Sequence, residues 1–173
     1  YSLCDVEYKN YGFRLLFTRP MSKVTVYSSK IVFLLEIIFI SSLIGYLTFL
    51  LSGFALDKLL PGYNFSSYND NILMVSYFSY LFIALSAVSF IQYYLSLIFK
   101  SFVLPIGFAS LMTIFGIIAQ NKDYIYLIPY GTVWRLNYCF YSGIINFSKG
   151  EYVNIAYVLF FVVISFFVFI RKK

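Results

Sequence analysis

The sequence predicts an all-α, multi-pass membrane protein, and three observations carry the prediction. Hydrophobic residues make up 61% of the 173 and charged residues only 12%, too little polar surface for a water-soluble domain of this size. Four apolar runs follow one another, at about residues 31–53, 72–99, 102–119 and 152–170, close to the roughly 20 residues that cross a bilayer as a helix. The thirteen basic residues fall in alternate connections: Lys9, Arg14, Arg19, Lys23, Lys30, Lys100, Arg171, Lys172 and Lys173 in one set, Lys58, Lys122, Arg135 and Lys149 in the other. The excess in the first set places both ends of the chain on the cytoplasmic side of the plasma membrane. The net charge of +6 is thereby read as topology, and no nucleic-acid partner is expected.

The first run, residues 31–53, covers about 34 Å as a helix, enough for a hydrocarbon core of about 30 Å. Glu36 is its single charge. It is a candidate intramembrane contact facing the subunit interior. Alternatively, it is a carboxylate that reaches back toward the interface near Lys30 or a neighbouring helix. The rise of about 9 Å between the two residues favours the second reading. Ser41 and Gly45 form a small-xxx-small pair suited to a close helix contact, weak grounds for dimerisation. Residues 56–71 read as a polar loop with a turn at Pro61 and Gly62.

The second run, residues 72–99, spans about 42 Å if fully helical and must tilt or protrude. Lys100 and Ser101 make a very short turn into the third run, so the two are expected to pair tightly and antiparallel. The third run, residues 102–119, covers only about 27 Å, with Pro105 in its first turn, where the missing N–H costs least. Residues 120–151 are aromatic and mixed, including Tyr124, Tyr126, Tyr130, Trp134 and Tyr138. They are too polar to span and too apolar for a solvated loop. Such rings favour the headgroup level, so one or two short helices are expected at, or dipping into, the outer face, with Arg135 meeting either substrate or, the favoured reading, an anionic headgroup. The fourth run, residues 152–170, closes on three basic residues.

The polar opening stretch stands apart. A helix over about residues 5–17 would bring Tyr11, Leu15 and Leu16 near one face. Pro20 stops it, because the residue before a proline avoids helical backbone. Ser22 is then a candidate N-cap for a helix that continues into the first span. The result is a helix–break–helix elbow at the membrane face.

This elbow resembles the cytoplasmic loop of the ABC-2 type transporter permeases. Glu7, Lys9, Gly12, Leu15, Leu16, Pro20, Ser22, Lys23 and Lys30 stand in a pattern like the one that precedes that family's third membrane helix. Similar chains occur among bacterial bacteriocin-immunity and lantibiotic exporters. The motif covers about twenty-five residues, the architecture most of the chain. The resemblance implies a subunit of six spans, of which this chain, opening on Tyr1 rather than Met, would be a fragment carrying the last four. It implies an elbow (residues 1–30) ahead of a transmembrane domain (residues 31–173), with short membrane-dipping helices before the last span. It further implies that Glu7, Lys9, Gly12, Leu15, Leu16, Pro20, Ser22 and Lys23 form a coupling helix docked on a separate ABC ATP-binding subunit. A second permease subunit, identical or related, would complete the transporter. The function implied is the membrane-spanning part of an ATP-driven exporter of a hydrophobic or amphipathic substrate.

Absences narrow the chemistry. The chain has no histidine, which excludes His-containing zinc sites and Ser-His-Asp triads within these residues. Cys4 and Cys139 are expected on opposite membrane faces, unpaired. No G-x-x-x-x-G-K-[ST] stretch occurs, so a phosphate cradle would come from the partner. Neither catalytic residues, metal nor cofactor are expected. Two other classes remain open: a non-transporting integral membrane assembly or sensor subunit, and an ion-coupled carrier, although no paired carboxylates occur inside the apolar runs.

Overall fold

The computed structural model describes residues 22–60, 71–99, 103–119, 122–143 and 149–171. Among them all regular structure is helical: α1 (Lys23–Leu59), α2 (Asn71–Ile98), α3 (Val103–Ile118), a 3₁₀ turn (Asp123–Leu127), α4 (Pro129–Tyr141) and α5 (Lys149–Arg171). Three of these, α1, α2 and α5, are long and apolar enough to cross a membrane; α3 is a shorter apolar helix. Its 16 residues rise about 24 Å.

α1 starts where its local chemistry says it should. Ser22 has extended backbone, and its Oγ accepts a hydrogen bond from the Thr25 amide at 3.1 Å, occupying one of the free donors of the first turn. The helix then runs unbroken for 37 residues, continuing from its Ser22 cap through the first apolar run. It also runs past residue 53, through the Leu56–Leu59 stretch expected as loop. Apolar side chains such as Val32, Phe39, Leu43, Leu47 and Phe54 stand exposed along it. A surface of that kind is matched to lipid or to other helices, not to water.

The ends of the helices sort themselves into two levels. Val26 and Tyr27 of α1, Tyr93 and Leu97 of α2 and Phe169 of α5 form one buried cluster. α1 therefore runs antiparallel to α2 and α5, and the end that carries Lys23, Lys30 and Arg171 is the basic end. At the other end Tyr46 meets Phe78 edge-on at 5.5 Å and Phe49 meets Phe140 at 5.9 Å, bringing α1, α2 and α4 together. α2 is the central helix, packed most extensively on α5, then on α4 and α1. Ala84 and Ala87 are wholly buried on it, letting neighbours approach its backbone.

The expected tight pairing of α2 with α3 gives way to another arrangement. α3 rests chiefly on α4, and its contact with α2 is slight. The reason is local. A Cβ on Gly116 would lie 2.9 Å from Gly131 Cα, so the two backbones meet directly. The Phe108 ring sits 6.2 Å from that of Tyr130, and Gln92 of α2 donates to the Tyr130 hydroxyl. The start of α4 thus bridges α3 and α2. Pro129 opens α4 at a position that needs no amide proton. Gly143, at φ 71°, closes it by donating to the Phe140 carbonyl at 3.1 Å, a left-handed cap that glycine adopts without strain. The aromatic segment therefore holds two short helical pieces, as expected.

Candidate functional site

Two places on this framework bear on function: the basic end, where α1 begins, and the seam between α1 and α2.

At the basic end, three side chains at helical spacing, Lys23, Tyr27 and Lys30, address the last helix. Residues three and four apart share a helix face. The Lys23 ammonium donates to the Ile170 carbonyl at 2.9 Å, near the C-terminus of α5, where free carbonyls and the helix dipole favour a cation. The Tyr27 hydroxyl donates to the Val162 carbonyl at 2.6 Å and lies 2.7 Å from Ser165 Oγ. Its ring packs against Phe166 and Phe169 at 5.2 and 5.7 Å. The Lys30 ammonium lies 5.3 Å from the centre of the Phe169 ring, within cation–π range, and the residue is buried. The outcome is a joint: the first turns of α1 cannot move without pulling on the last turns of α5.

Of the residues read from sequence as coupling contacts, Lys23 belongs to this joint, and Ser22 caps the helix that carries it. Glu7, Lys9, Gly12, Leu15, Leu16 and Pro20 lie outside the described residues. Glu36 is exposed on α1, whereas Lys30 turns inward to α5. Tyr27 was missed by sequence reading, although its spacing from Lys23 and Lys30 carried the signal. Of the small pair, Gly45 makes the close contact: a Cβ there would meet the Phe78 ring at 3.2 Å. Ser41 is exposed.

That Gly45–Phe78 contact divides the seam. On one side lies an apolar groove of about 500 Å³, bordered by Phe39, Leu43, Tyr46, Val75 and Phe82. On the other is a cavity of about 600 Å³ that includes α4 in its wall, with Thr48, Ser52, Tyr77 and Asn137 among its lining residues. Phe78 borders both. Tyr77 donates to the Asn137 carbonyl oxygen, fixing α4 to α2 at this level. Further along α4, Arg135 lies over the Tyr126 ring at 3.6 Å, held by its own aromatic segment. Deeper in the same region, buried Asn154 of α5 donates to Thr132 Oγ1 at 3.0 Å, and Thr132 donates to the Pro129 carbonyl at 2.8 Å. No group of side chains suited to hold a metal ion occurs among the described residues.

A chain built of lipid-length helices, jointed at its basic end and grooved along its first two helices, is suited to transport. The family model described as ABC-2 family transporter protein matches residues 1–116, which take in the polar opening stretch, α1, α2 and most of α3. The chain belongs to the ABC-2 transporter family. No curated protein and no solved structure matches it. As an ABC-2 permease the chain is a multi-pass membrane protein and a transport component. The family normally works with an ABC ATP-binding subunit.

Proposed function

We propose that this permease is the membrane-spanning subunit of an ATP-driven exporter, with its basic end in the cytoplasm and the elbow gripped by a separate ATP-binding subunit. The observation that carries the reading is the joint at Lys23 and Tyr27. Force delivered to the elbow enters α1 at Ser22, a few residues beyond Pro20, and is shared at once with α5 through the Ile170 and Val162 carbonyls. The positive-inside bias supports the orientation. Two permease subunits, identical or related, and two ATP-binding subunits make the working unit. The substrate is hydrophobic or amphipathic, and its path runs between subunits, lined in part by α1 and α2, whose exposed faces are apolar.

The test is direct. Leu15→Asp, Leu16→Asp and Pro20→Ala variants of the full-length permease, expressed with the ATP-binding subunit, lose transport-coupled ATP hydrolysis while still inserting into the membrane. Variants that insert and keep full coupled hydrolysis overturn the coupling role. Failure of the permease to co-purify with a Walker-motif ATPase favours the assembly or sensor reading instead.

A further inference from the structure

The cavity between α1, α2 and α4 has a hydrogen-bonding character that selects among ligands. Its volume, about 600 Å³, lies within the range of small-molecule sites. The Thr48 hydroxyl donates to the Ile44 carbonyl and the Ser52 hydroxyl to the Phe49 carbonyl, each at 2.7 Å. The Tyr77 hydroxyl donates to the Asn137 carbonyl oxygen. All three hydroxyl protons are therefore engaged within the protein, and what each oxygen has left to offer is lone pairs. The Asn137 carboxamide is the opposite case. Its oxygen is taken, and its NH₂ has no partner among the described residues. The lining so presents these three acceptors, one amide donor group and the hydroxyl of exposed Tyr141, which can either donate or accept. It contains no charged side chain, so an ion entering it would meet no opposite charge to offset its lost hydration. The remaining wall is aromatic: Phe140 stands 4.8 Å from Tyr77 and 5.9 Å from Phe49, the second pair edge to face, an arrangement that a further ring extends.

We propose that this cavity is a ligand site for an uncharged, ring-bearing amide, whose N–H groups meet Thr48, Ser52 and Tyr77 and whose carbonyl accepts from Asn137. A secondary amide supplies both kinds of group side by side, and its aromatic substituent fills the space against Phe49 and Phe140. The site lies at the end of the bundle opposite Lys23. As a station for exported substrate it rests on the exporter reading above; as a binding site it does not.

The experiment uses the full-length permease in phosphatidylcholine nanodiscs and radiolabelled N-acetyl-Phe-Phe-amide as probe, with empty nanodiscs as blank. Saturable binding is expected above the blank. Asn137→Leu weakens it about tenfold, the loss of one hydrogen bond to a buried carbonyl. Ser52→Phe, at an exposed position where the new ring occupies the cavity without disturbing the helix, abolishes it. Gly53→Ala, beside Ser52 but with open space around it, leaves it unchanged. Zwitterionic Phe-Phe does not compete. Probe uptake equal to that of empty nanodiscs overturns the site, as does binding that survives both Asn137→Leu and Ser52→Phe, or equal competition by the zwitterion. Co-purification with the ATP-binding subunit is measured on the same preparations. Lost binding with intact co-purification sinks the site alone. Asn137-dependent binding without co-purification sinks the exporter reading alone.

Discussion

The hydroxyl of Tyr27 and the hydroxyl of Ser165 lie 2.7 Å apart between α1 and α5, and Tyr27 also donates to the Val162 carbonyl. Tyr27→Phe keeps the ring packing and removes both links. Within a membrane domain such a bond contributes about 0.6–2 kcal/mol, so the variant loses about 1 kcal/mol in detergent-unfolding titrations. Its coupled ATP hydrolysis falls further than that loss of stability accounts for. A Tyr27→Phe, Ser165→Ala double-mutant cycle reports the pair's own share.

Gly116 and Gly131 meet backbone to backbone, and a Cβ on Gly131 would lie only 2.1 Å from Ile125 Cδ1. Gly116→Val cannot be accommodated without separating α3 from α4. Overpacking of this kind costs about 1–3 kcal/mol. A disulfide crosslink engineered between α3 and α4 forms in the parent and fails in the variant.

Asn154 and Thr132 are both buried, at 1% and 3% exposure, and satisfy one another. Thr132→Val leaves the Asn154 amide without its acceptor in an apolar setting, a cost of about 1–3 kcal/mol. Adding Asn154→Leu recovers part of the loss, since replacing both partners by apolar groups removes the unsatisfied amide. Thermal unfolding of the four proteins in the cycle measures it.

Cys139 is a free, half-buried thiol on α4, at the end away from Lys23. In a Cys4→Ser background it reacts with a membrane-impermeant maleimide added outside sealed cells. A Ser28→Cys thiol on α1, placed in a background lacking both native cysteines, does not react until the membrane is opened. The reverse pattern inverts the proposed orientation.

The parts of this architecture that were legible in the sequence are those set by local chemistry or by solvent. Ser22 announces the start of α1 because capping is settled within one turn. The apolar runs announce the helices because lipid demands them. Helix ends were less legible. Hydropathy marks the lipid-facing part of a helix, while backbone hydrogen bonds carry it on into polar residues, as Asp57 and Lys58 in the last turns of α1 illustrate. The α3–α4 contact was hidden because it depends on Gly116 and Gly131, residues that leave no mark in a hydropathy pattern. Tyr27 was hidden by its neighbours: amid Val24, Thr25, Ser28 and Ser29 it reads as a polar entry segment, and only the bundle shows that it turns to α5. Gln92 lies near the end of an apolar run, and its partner, Tyr130, is 38 residues away, too far for any local pattern to show.

α1 is one uninterrupted rod of 37 residues, about 55 Å long, fastened to α5 near its base and leaning on α2 along one side, with much of its remaining surface bare. Such a rod is a lever with a short arm and a long one. A tilt of about a tenth of a radian at the Ser22 end sweeps the Leu59 end through about 5 Å, since the arm length follows from the helical rise. Small strokes at one membrane face thereby become displacements at the other as large as a helix turn, with no need for any residue in between to change its conformation.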